Sequence, residues 1–239
     1  MSKLQILADQ FADLVKFASS KGKIETALYK INSENITART GLSSIDVGVS
    51  FVSDISLSGD HYTYNGEEML LPIKDNKMLY DVLVGFGNSE VEVSLENNYV
   101  IIENQNSRAE LSISSPEMIR NNIAKDLSEK IKHDDTIVIG ADILKKVFKN
   151  MSKLDSQFIF VKVENGMLYL TTGQENLDKV TEKIEVDVPD MLVKFNKTLG
   201  YAIENLDGEV RLGLADNYPM KLSMENSFIV IDYYIVNCD

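Results

Sequence analysis

The stretch EVRLGLADNY, residues 209–218, repeats a phrase that occurs earlier in the chain as EVEVSLENNY, residues 90–99. Both phrases begin with Glu-Val, carry a Leu at the sixth position and end in Asn-Tyr. They lie 119 positions apart in a chain of 239 residues. A phrase that recurs once in each half of a chain indicates two similar structural units.

Two further pairs of segments support this repeat. YKINSENITART (29–40) aligns with VKVENGMLYLTT (161–172), and ADQFADLVKFAS (8–19) aligns with ADILKKVFKNMS (141–152). The second pair places apolar residues at helical spacing, which predicts an amphipathic helix early in each unit. Each unit is therefore predicted to contain a helix, strands, a second short helix and more strands.

The second helices are predicted over residues 79–86 and 191–203, the latter starting at Pro189-Asp190. The remaining periodic segments have the alternation of strands, and Asn-Gly at 65–66 and 165–166 and Asp-Gly at 207–208 are typical hairpin turns. The sequence thus predicts an α+β fold.

The predicted domains are an N-terminal unit over 1–114, a polar connector over 115–135 and a C-terminal unit over 136–239. The connector matches neither unit. Its Ser115-Pro116-Glu117 start indicates that part of it is helical.

Composition excludes several classes of protein. An apolar fraction of 44% is enough to form a hydrophobic core. The sequence contains no run of 18 apolar residues, so we predict no membrane span. The opening residues lack the pattern of a secretory signal, and a single cysteine fits a reducing compartment. We therefore expect a cytoplasmic location, in a host cytoplasm or at a nucleoid if the source is viral or prokaryotic, with no membrane partner.

The net charge of −13 argues against nucleic-acid binding only if the charge is evenly spread. It is not, because the predicted helix DILKKVFKNMSKL (142–154) carries four lysines on the face opposite its apolar stripe. Further lysines lie on the other predicted helices or near them. The alternative interpretation is that these lysines form an ordinary solvent-exposed helix face with no ligand. The basic candidates are Lys145, Lys146, Lys149, Lys153, Lys194, Lys197, Lys16 and Lys77.

With these features the sequence resembles the DNA sliding clamps, which include proliferating cell nuclear antigen and the clamps of large tailed phages. The resemblance rests on the two-unit layout, on the C-terminal block DNYPMKLSM (216–224) with IDYYIV (231–236), and on the opening KLQILADQFADLVKFAS (3–19). It covers nearly the whole chain.

The resemblance implies a duplicated clamp fold, in which each unit packs two helices on antiparallel sheets and three chains close into a homotrimeric ring. Duplex DNA would thread the ring without sequence readout, and the lysines named above would face it. The implied function is a processivity factor in DNA replication, with a DNA polymerase and a clamp loader as partners and with no cofactor.

The resemblance also implies two protein-binding surfaces. Ring closure would pair the edge strands 106–114 and 178–186, with the interface residues Arg108, Glu110, Ser112, Val180, Glu182 and Ile184. A pocket for partner peptides would be lined by Leu42, Ile45, Val47, Pro219, Tyr234, Ile235 and Val236. The alternative for the pocket residues is ordinary core.

Two other functions stay open: a clamp-fold subunit of a hetero-oligomeric ring, and a non-enzymatic acidic assembly or structural protein. No enzyme is predicted, because the sequence has no arrangement of nucleophile and base. No metal site is predicted either, because His61 and His133 have no Cys or second His at ligand spacing.

Overall fold

The structure is a computed structural model that describes residues 2–43, 50–120, 133, 136–173, 178–215 and 219–236. The α-helices of this part of the chain are α1 Ala8–Ala18, α2 Asn76–Phe86, α3 Pro116–Arg120, α4 Ala141–Lys153 and α5 Gly200–Ile203. Short 3-10 turns cover Gly59–His61 and Lys197–Leu199. The chain is thus α+β and strand-rich, as its sequence predicts.

The strands alternate with these helices along the chain. Those that precede α3 are β1 Lys3–Leu7, β2 Ala27–Ile31, β3 Asn35–Ser43, β4 Ser50–Ser58, β5 Tyr62–Asn65, β6 Met69–Ile73, β7 Glu90–Glu96, β8 Tyr99–Glu103 and β9 Arg108–Ser112. Those that follow it are β10 Thr136–Gly140, β11 Phe158–Glu164, β12 Met167–Gly173, β13 Lys179–Glu185, β14 Met191–Asn196, β15 Glu209–Gly213, β16 Met220–Glu225 and β17 Ile229–Ile235.

The chain divides into two compact units. Unit 1 comprises Met1–Gly41, Ser53–Ile123 and Glu225–Ile231, and unit 2 comprises Leu42–Val52, Ala124–Met224 and Asp232–Asp239. Each unit therefore includes a short segment that is distant in sequence from the rest of it. The boundaries at 114 and 136 stay a prediction.

The two units repeat each other strand by strand. In unit 1, β1-β7-β8-β9 are neighbours in one sheet and β6-β2-β3-β4 in another. In unit 2 the corresponding orders are β10-β15-β16-β17 and β14-β11-β12-β13. Among the described strands of unit 1, only β5, which pairs with β1, has no counterpart. The repeated phrase forms β7 with its turn in unit 1 and starts with β15 in unit 2.

One hydrogen bond recurs at the start of each long helix. Ala8 N–H donates to the Ser89 carbonyl at 3.0 Å, and Ala141 N–H donates to the Gly208 carbonyl at 2.8 Å. Neither helix has a side-chain cap at this end. The acceptor is in both cases the residue just before the repeated Glu-Val, so the repeated strand supplies a partner for one of the unpaired donors of the helix start.

The core follows the aligned segments. Tyr29, Ile31, Ile36, Ala38 and Thr40 are buried in unit 1, and so are their aligned partners in unit 2. Those partners are Val161, Val163, Leu168, Leu170 and Thr172. The alternation of these residues places one face of each hairpin in the core, as a period of two requires. The alignment made from sequence is confirmed at this level.

The predicted helix over 191–203 is wrong for its first half. Residues 191–196 form β14, paired antiparallel with β11, and helical turns begin only at Lys197. The burial of Val193 and Phe195 against the exposure of Leu192 alternates with period two. A short apolar run can fit both periods, and here the neighbouring strand decides it.

Of the predicted hairpin turns, one is confirmed. Asn165-Gly166, with φ of 52° and 75°, joins β11 to β12. Asn65-Gly66 instead connects β5 and β6, which lie in different sheets, and Asp207-Gly208 follows α5. The turn of the β7–β8 hairpin is Asn97-Asn98, with φ of 53° and 101°. Asn tolerates this left-handed region better than most residues. The predicted helix start at Pro116 is confirmed as α3.

We predict that Tyr29→Phe lowers the free energy of unfolding by about 1–2 kcal/mol, because it leaves a buried acceptor without its donor. Tyr29 Oη donates to Asn76 Oδ1 at 2.9 Å, and both residues are fully buried. Urea denaturation at a fixed protein concentration measures the change. Tyr99→Phe is the control, because Tyr99 is an exposed tyrosine, and equal loss in both variants would contradict the prediction.

Candidate nucleic-acid interface and subunit edges

Helix α4 carries the basic surface predicted from sequence. Its buried residues are Ala141, Leu144, Val147 and Met151, which form a stripe at helical spacing. The helix packs with this stripe on β12 and β13 and on α5. Because one face is fixed in the core, the opposite face is fixed toward solvent.

The close packing of α4 on α5 depends on a glycine. A Cβ added at Gly200 would lie 2.0 Å from Cζ of Phe148, which is half-buried on α4. The ring of Phe148 therefore occupies the space that a side chain at the start of α5 would need. Gly200 and the ring of Phe148 are thus part of the contact between α4 and α5.

The exposed face of α4 carries four lysines and one carboxylate, Asp142. Lys146 Nζ lies 2.9 Å from Glu182 Oε1 on β13, and Lys145 Nζ lies 3.7 Å from Asp207 Oδ1. Lys149 and Lys153 are exposed and have no ion pair within the part of the chain that the structure describes. The structure thus brings Lys145, Lys146, Lys149 and Lys153 together, and the last two form no ion pair with a described residue.

The helices of unit 1 do not present such a surface. On α1 the charged residues are Asp9, Asp13 and Lys16, and Lys16 Nζ lies 3.7 Å from Asp13 Oδ1. On α2 Lys77 Nζ donates to Asp81 Oδ2 at 2.6 Å, and this hydrogen bond raises the pKa of Lys77. The lysines predicted in unit 1 are therefore each paired with a carboxylate of their own helix.

Lys194 and Lys197 do not lie on a helix with the α4 lysines. Lys194 lies on β14, on the sheet face opposite to the buried Val193 and Phe195, and its Nζ is 4.9 Å from the centroid of the Phe158 ring. Lys197 is exposed in the 3-10 turn that follows β14. The sequence pattern predicts a helix for both, whereas the strand geometry puts Lys194 on the other side of the sheet from α4.

The predicted edge strand 106–114 contains β9, which pairs with β8 alone among the described strands. Arg108, Glu110 and Ser112 are exposed on one of its faces. The guanidinium of Arg108 binds three carboxylates at 3.0–3.3 Å, those of Glu96, Glu103 and Glu110. The hydrogen bond with Glu110 is the largest cause of the raised pKa of Arg108.

The other face of β9 continues the core. Ala109 and Leu111 are half-buried and lie opposite the buried Ile102 and Val100 of β8. Neither is among the interface residues predicted from sequence. Their alternation with the charged residues of the strand was the available signal.

The predicted edge strand 178–186 contains β13, which pairs with β12 alone among the described strands. Val180, Glu182 and Ile184 are half-buried on its α4 side, and Glu182 accepts from Lys146. The unpaired side of each edge strand leaves backbone donors and acceptors open to another strand.

The predicted pocket residues have different environments. Tyr234 and Ile235 are buried, at 2% and 0% exposure, and Pro219 and Val236 are half-buried. Leu42 lies on β3. Ile45 and Val47 lie outside the described residues. The burial of Tyr234 and Ile235 places them in the core of the single chain.

The described residues offer neither a metal site nor a membrane span. They contain no group of three or more His, Cys, Asp or Glu side chains that could hold a metal ion. None of their helices has the length and apolarity needed to cross a bilayer.

No protein-family model and no curated protein sequence matches the chain. Solved structures do match it. PCNA of A. fulgidus, in a structure that holds the C-terminal region of FEN-1 bound to it, superposes with a TM-score of 0.79 at 14% identity. PCNA of Entamoeba histolytica superposes with a TM-score of 0.80 at 15% identity. Each match covers 100% of this chain and 99% of the other.

The chain has the PCNA clamp fold. The match over the full length confirms the predicted fold class of two similar units with helices on antiparallel sheets. Of the described helices, α1, α2 and the short α3 lie in unit 1, and α4 and α5 lie in unit 2. The clamp fold was recognisable from the repeat and the C-terminal block at a level of identity where sequence comparison finds nothing.

We predict opposite effects for two helical glycines. Gly200→Ala forces its Cβ against Phe148 and should lower the free energy of unfolding by about 1–3 kcal/mol. Gly85→Ala, on an open face of α2 with nothing within 4 Å, should raise it by about 0.5–1 kcal/mol. Urea denaturation of both variants at one protein concentration tests the pair. A stabilising Gly200→Ala would contradict the contact.

Proposed function

We propose that the protein is a DNA sliding clamp, a ring-shaped processivity factor in DNA replication that encircles duplex DNA without reading its sequence. The observation that carries the proposal is the exposed face of α4, where four lysines stand against one carboxylate in a chain of net charge −13. The PCNA clamp fold supports it independently. A DNA polymerase and a clamp loader are the proposed partners, and no enzymatic activity or cofactor is proposed.

The charge distribution supports contact with phosphates. Cationic side chains that neutralise phosphates bind DNA in a salt-dependent and sequence-independent way. Lys149 and Lys153 are the best candidates because they are exposed and form no ion pair with a described residue. Lys145 and Lys146 have carboxylate neighbours and contribute less. Lys16 and Lys77 are compensated on their own helices, so we propose that unit 2 makes most of the contact.

Ring closure through β9 and β13 is supported by the place of both strands at the edge of a sheet. Among the described strands β9 pairs with β8 alone and β13 with β12 alone. Each therefore leaves one side of its backbone open, and we propose that β9 of one chain pairs there with β13 of the next.

The side chains fit such a pairing. One face of β9 carries the half-buried Ala109 and Leu111, and one face of β13 carries the half-buried Val180 and Ile184. Pairing would cover these apolar side chains and both open strand edges. Such an interface is heterologous, so it closes only if the rotation between chains divides a full turn.

The proposed partner-peptide pocket comprises Leu42, Pro219 and Val236, with Ile45 and Val47 among the residues that the structure does not describe. The structure of A. fulgidus PCNA, to which a C-terminal region of FEN-1 is bound, supports a clamp as a binder of such segments. Tyr234 and Ile235 are buried in the core of the chain, so we do not include them in the exposed lining. The domain boundaries at 114 and 136 remain part of this proposal.

We predict a concentration-stable species of about 80 kDa, three times the chain mass of 26.8 kDa, in light scattering on a size-exclusion column. Leu111→Glu should convert it to monomer, because the charge would be buried against the neighbouring strand. Val84→Glu, an exposed position on α2, is the control and should leave the mass unchanged. A wild-type monomer at all concentrations would instead favour a subunit of a hetero-oligomeric ring, and open polymers would favour an assembly protein.

We predict that the protein threads onto linear duplex DNA and is retained only when both ends are then blocked. The test uses DNA with biotin at each end, with streptavidin added after the protein, and measures the protein that stays on the DNA through a salt wash. Retention that does not depend on the blocked ends would contradict encirclement.

The same assay tests the DNA face. Lys149→Glu with Lys153→Glu should lower loading and flatten the dependence of log K on log salt by about 0.9 for each lost phosphate contact. Lys16→Glu with Lys77→Glu is the matched double variant and should change loading much less. The mass of both variants must equal that of the wild type, and equal losses in the two would refute the assignment to α4.

A further inference from the structure

The sheet of unit 2 has a second face, opposite to the one that α4 covers, and it is neither acidic nor fully polar. Strand pairing arranges its side chains in rows. Phe160 stands between Thr171 and Lys194, and in the next row Lys162 stands between Tyr169 and Leu192. Lys183 follows beyond Tyr169 on the edge strand β13. We name Phe160, Lys162, Tyr169, Lys183, Leu192 and Lys194 the outer patch.

The outer patch is an open surface on which apolar and cationic side chains alternate. Leu192 is 64% exposed and Phe160 is 36% exposed, and together with their neighbours they line a concavity of about 540 Å³. Exposed apolar side chains that share a concave surface are a typical contact for a binding partner. Neither residue belongs to the proposed DNA face or to the proposed peptide pocket.

The charge of this face is opposite to that of the whole chain. Its lysines are Lys162, Lys179, Lys183 and Lys194, and its carboxylates are Glu164 and Glu185. Lys162 Nζ is bound to Glu164 at 2.7 Å, and both carboxylates lie at one end of the rows. The other end carries Lys179 and Lys194, with Asp178 just before β13, so this face has four lysines against three carboxylates in a protein of net charge −13.

We propose that the outer patch is a docking surface for an acidic segment of a partner protein that carries aromatic or aliphatic side chains. Apolar side chains of the segment would cover Phe160 and Leu192, and its carboxylates would meet the lysines that alternate with them. Neighbouring strands lie about 4.8 Å apart, so four strands span about 15 Å, and five or six extended residues cover that distance.

The same lysines do not make a good platform for single-stranded nucleic acid. Stacking of bases needs open aromatic faces. Lys183 Nζ is already 5.7 Å from the centroid of Tyr169, and Lys194 Nζ is 4.9 Å from that of Phe158. The most exposed apolar residue of the patch is a leucine, and Glu164 and Glu185 would repel phosphates at one end. Protein side chains fit this combination better.

The experiment measures fluorescence anisotropy of a labelled peptide in which Phe and Leu alternate with Glu, so that an extended chain presents one apolar face. The comparison probes are the same peptide with Lys in place of Glu and a labelled oligothymidine. We expect the acidic peptide to bind tightest, with an affinity that falls as salt rises. An acidic peptide that binds no better than the basic one, or more weakly than oligothymidine, overturns the proposal.

Variants locate the site. Leu192→Glu and Lys183→Glu should each weaken the acidic peptide by about tenfold or more, as expected for central residues of an interface. Val138→Glu is the matched control, because Val138 is a 57% exposed apolar residue of unit 2 outside the patch. Equal weakening by Val138→Glu overturns the proposal.

The DNA-face variant with Lys149→Glu and Lys153→Glu should bind the peptide like the wild type. This result separates the two proposals, because peptide binding at the outer patch and DNA loading through α4 can each be contradicted without the other.

Discussion

The bond from the first amide of each long helix to the carbonyl that precedes the repeated Glu-Val strand fixes the rest of each unit. Ala8 with Ser89 and Ala141 with Gly208 tie a helix start to the start of a strand far away in sequence. The strand before the helix pairs with that same strand, so Ile6 lies opposite Val91 and Ile139 opposite Val210. Once this strand–helix–strand unit is set, the helix can lie on only one side of its sheet.

Much of the fold could be predicted from sequence because aligned positions of the two units are buried in the same pattern. Aligned positions such as Ile36 and Leu168 differ in side chain but share the core face, so alternation survives where identity does not. Residues 191–196 could not be assigned with the same ease. MLVKFN is short enough to satisfy a helical or a strand period, and its state depends on pairing with β11, which sequence alone does not display.

The lysine-rich face of α4 could also be predicted from sequence, because it too follows from a periodic pattern. The lysines of α4 share one face because they lie on one continuous helix, and a period of 3.6 residues can be seen in sequence. The carboxylates that pair with these lysines cannot be predicted in this way, because Glu182 and Asp207 come from distant segments of the chain. The distinction between the lysines of α4 and those of α1 and α2 is therefore a tertiary property, except where a pair such as Lys77 and Asp81 lies within one helix. The half-buried face of β9, with Ala109 and Leu111, was not predicted because the charged side chains of Arg108 and Glu110 lie on the other face.

The two edge strands described above are unlike each other, and this gives the proposed ring a polarity. Every chain would offer β9 on one flank and β13 on the other, so all subunits would point the same way around the hole. The front and the back of such a ring carry different loops and are not interchangeable. A partner protein that binds only one of these two sides would be held in a single orientation relative to the double helix. The difference between β9 and β13 would therefore set the direction in which that partner moves along the DNA.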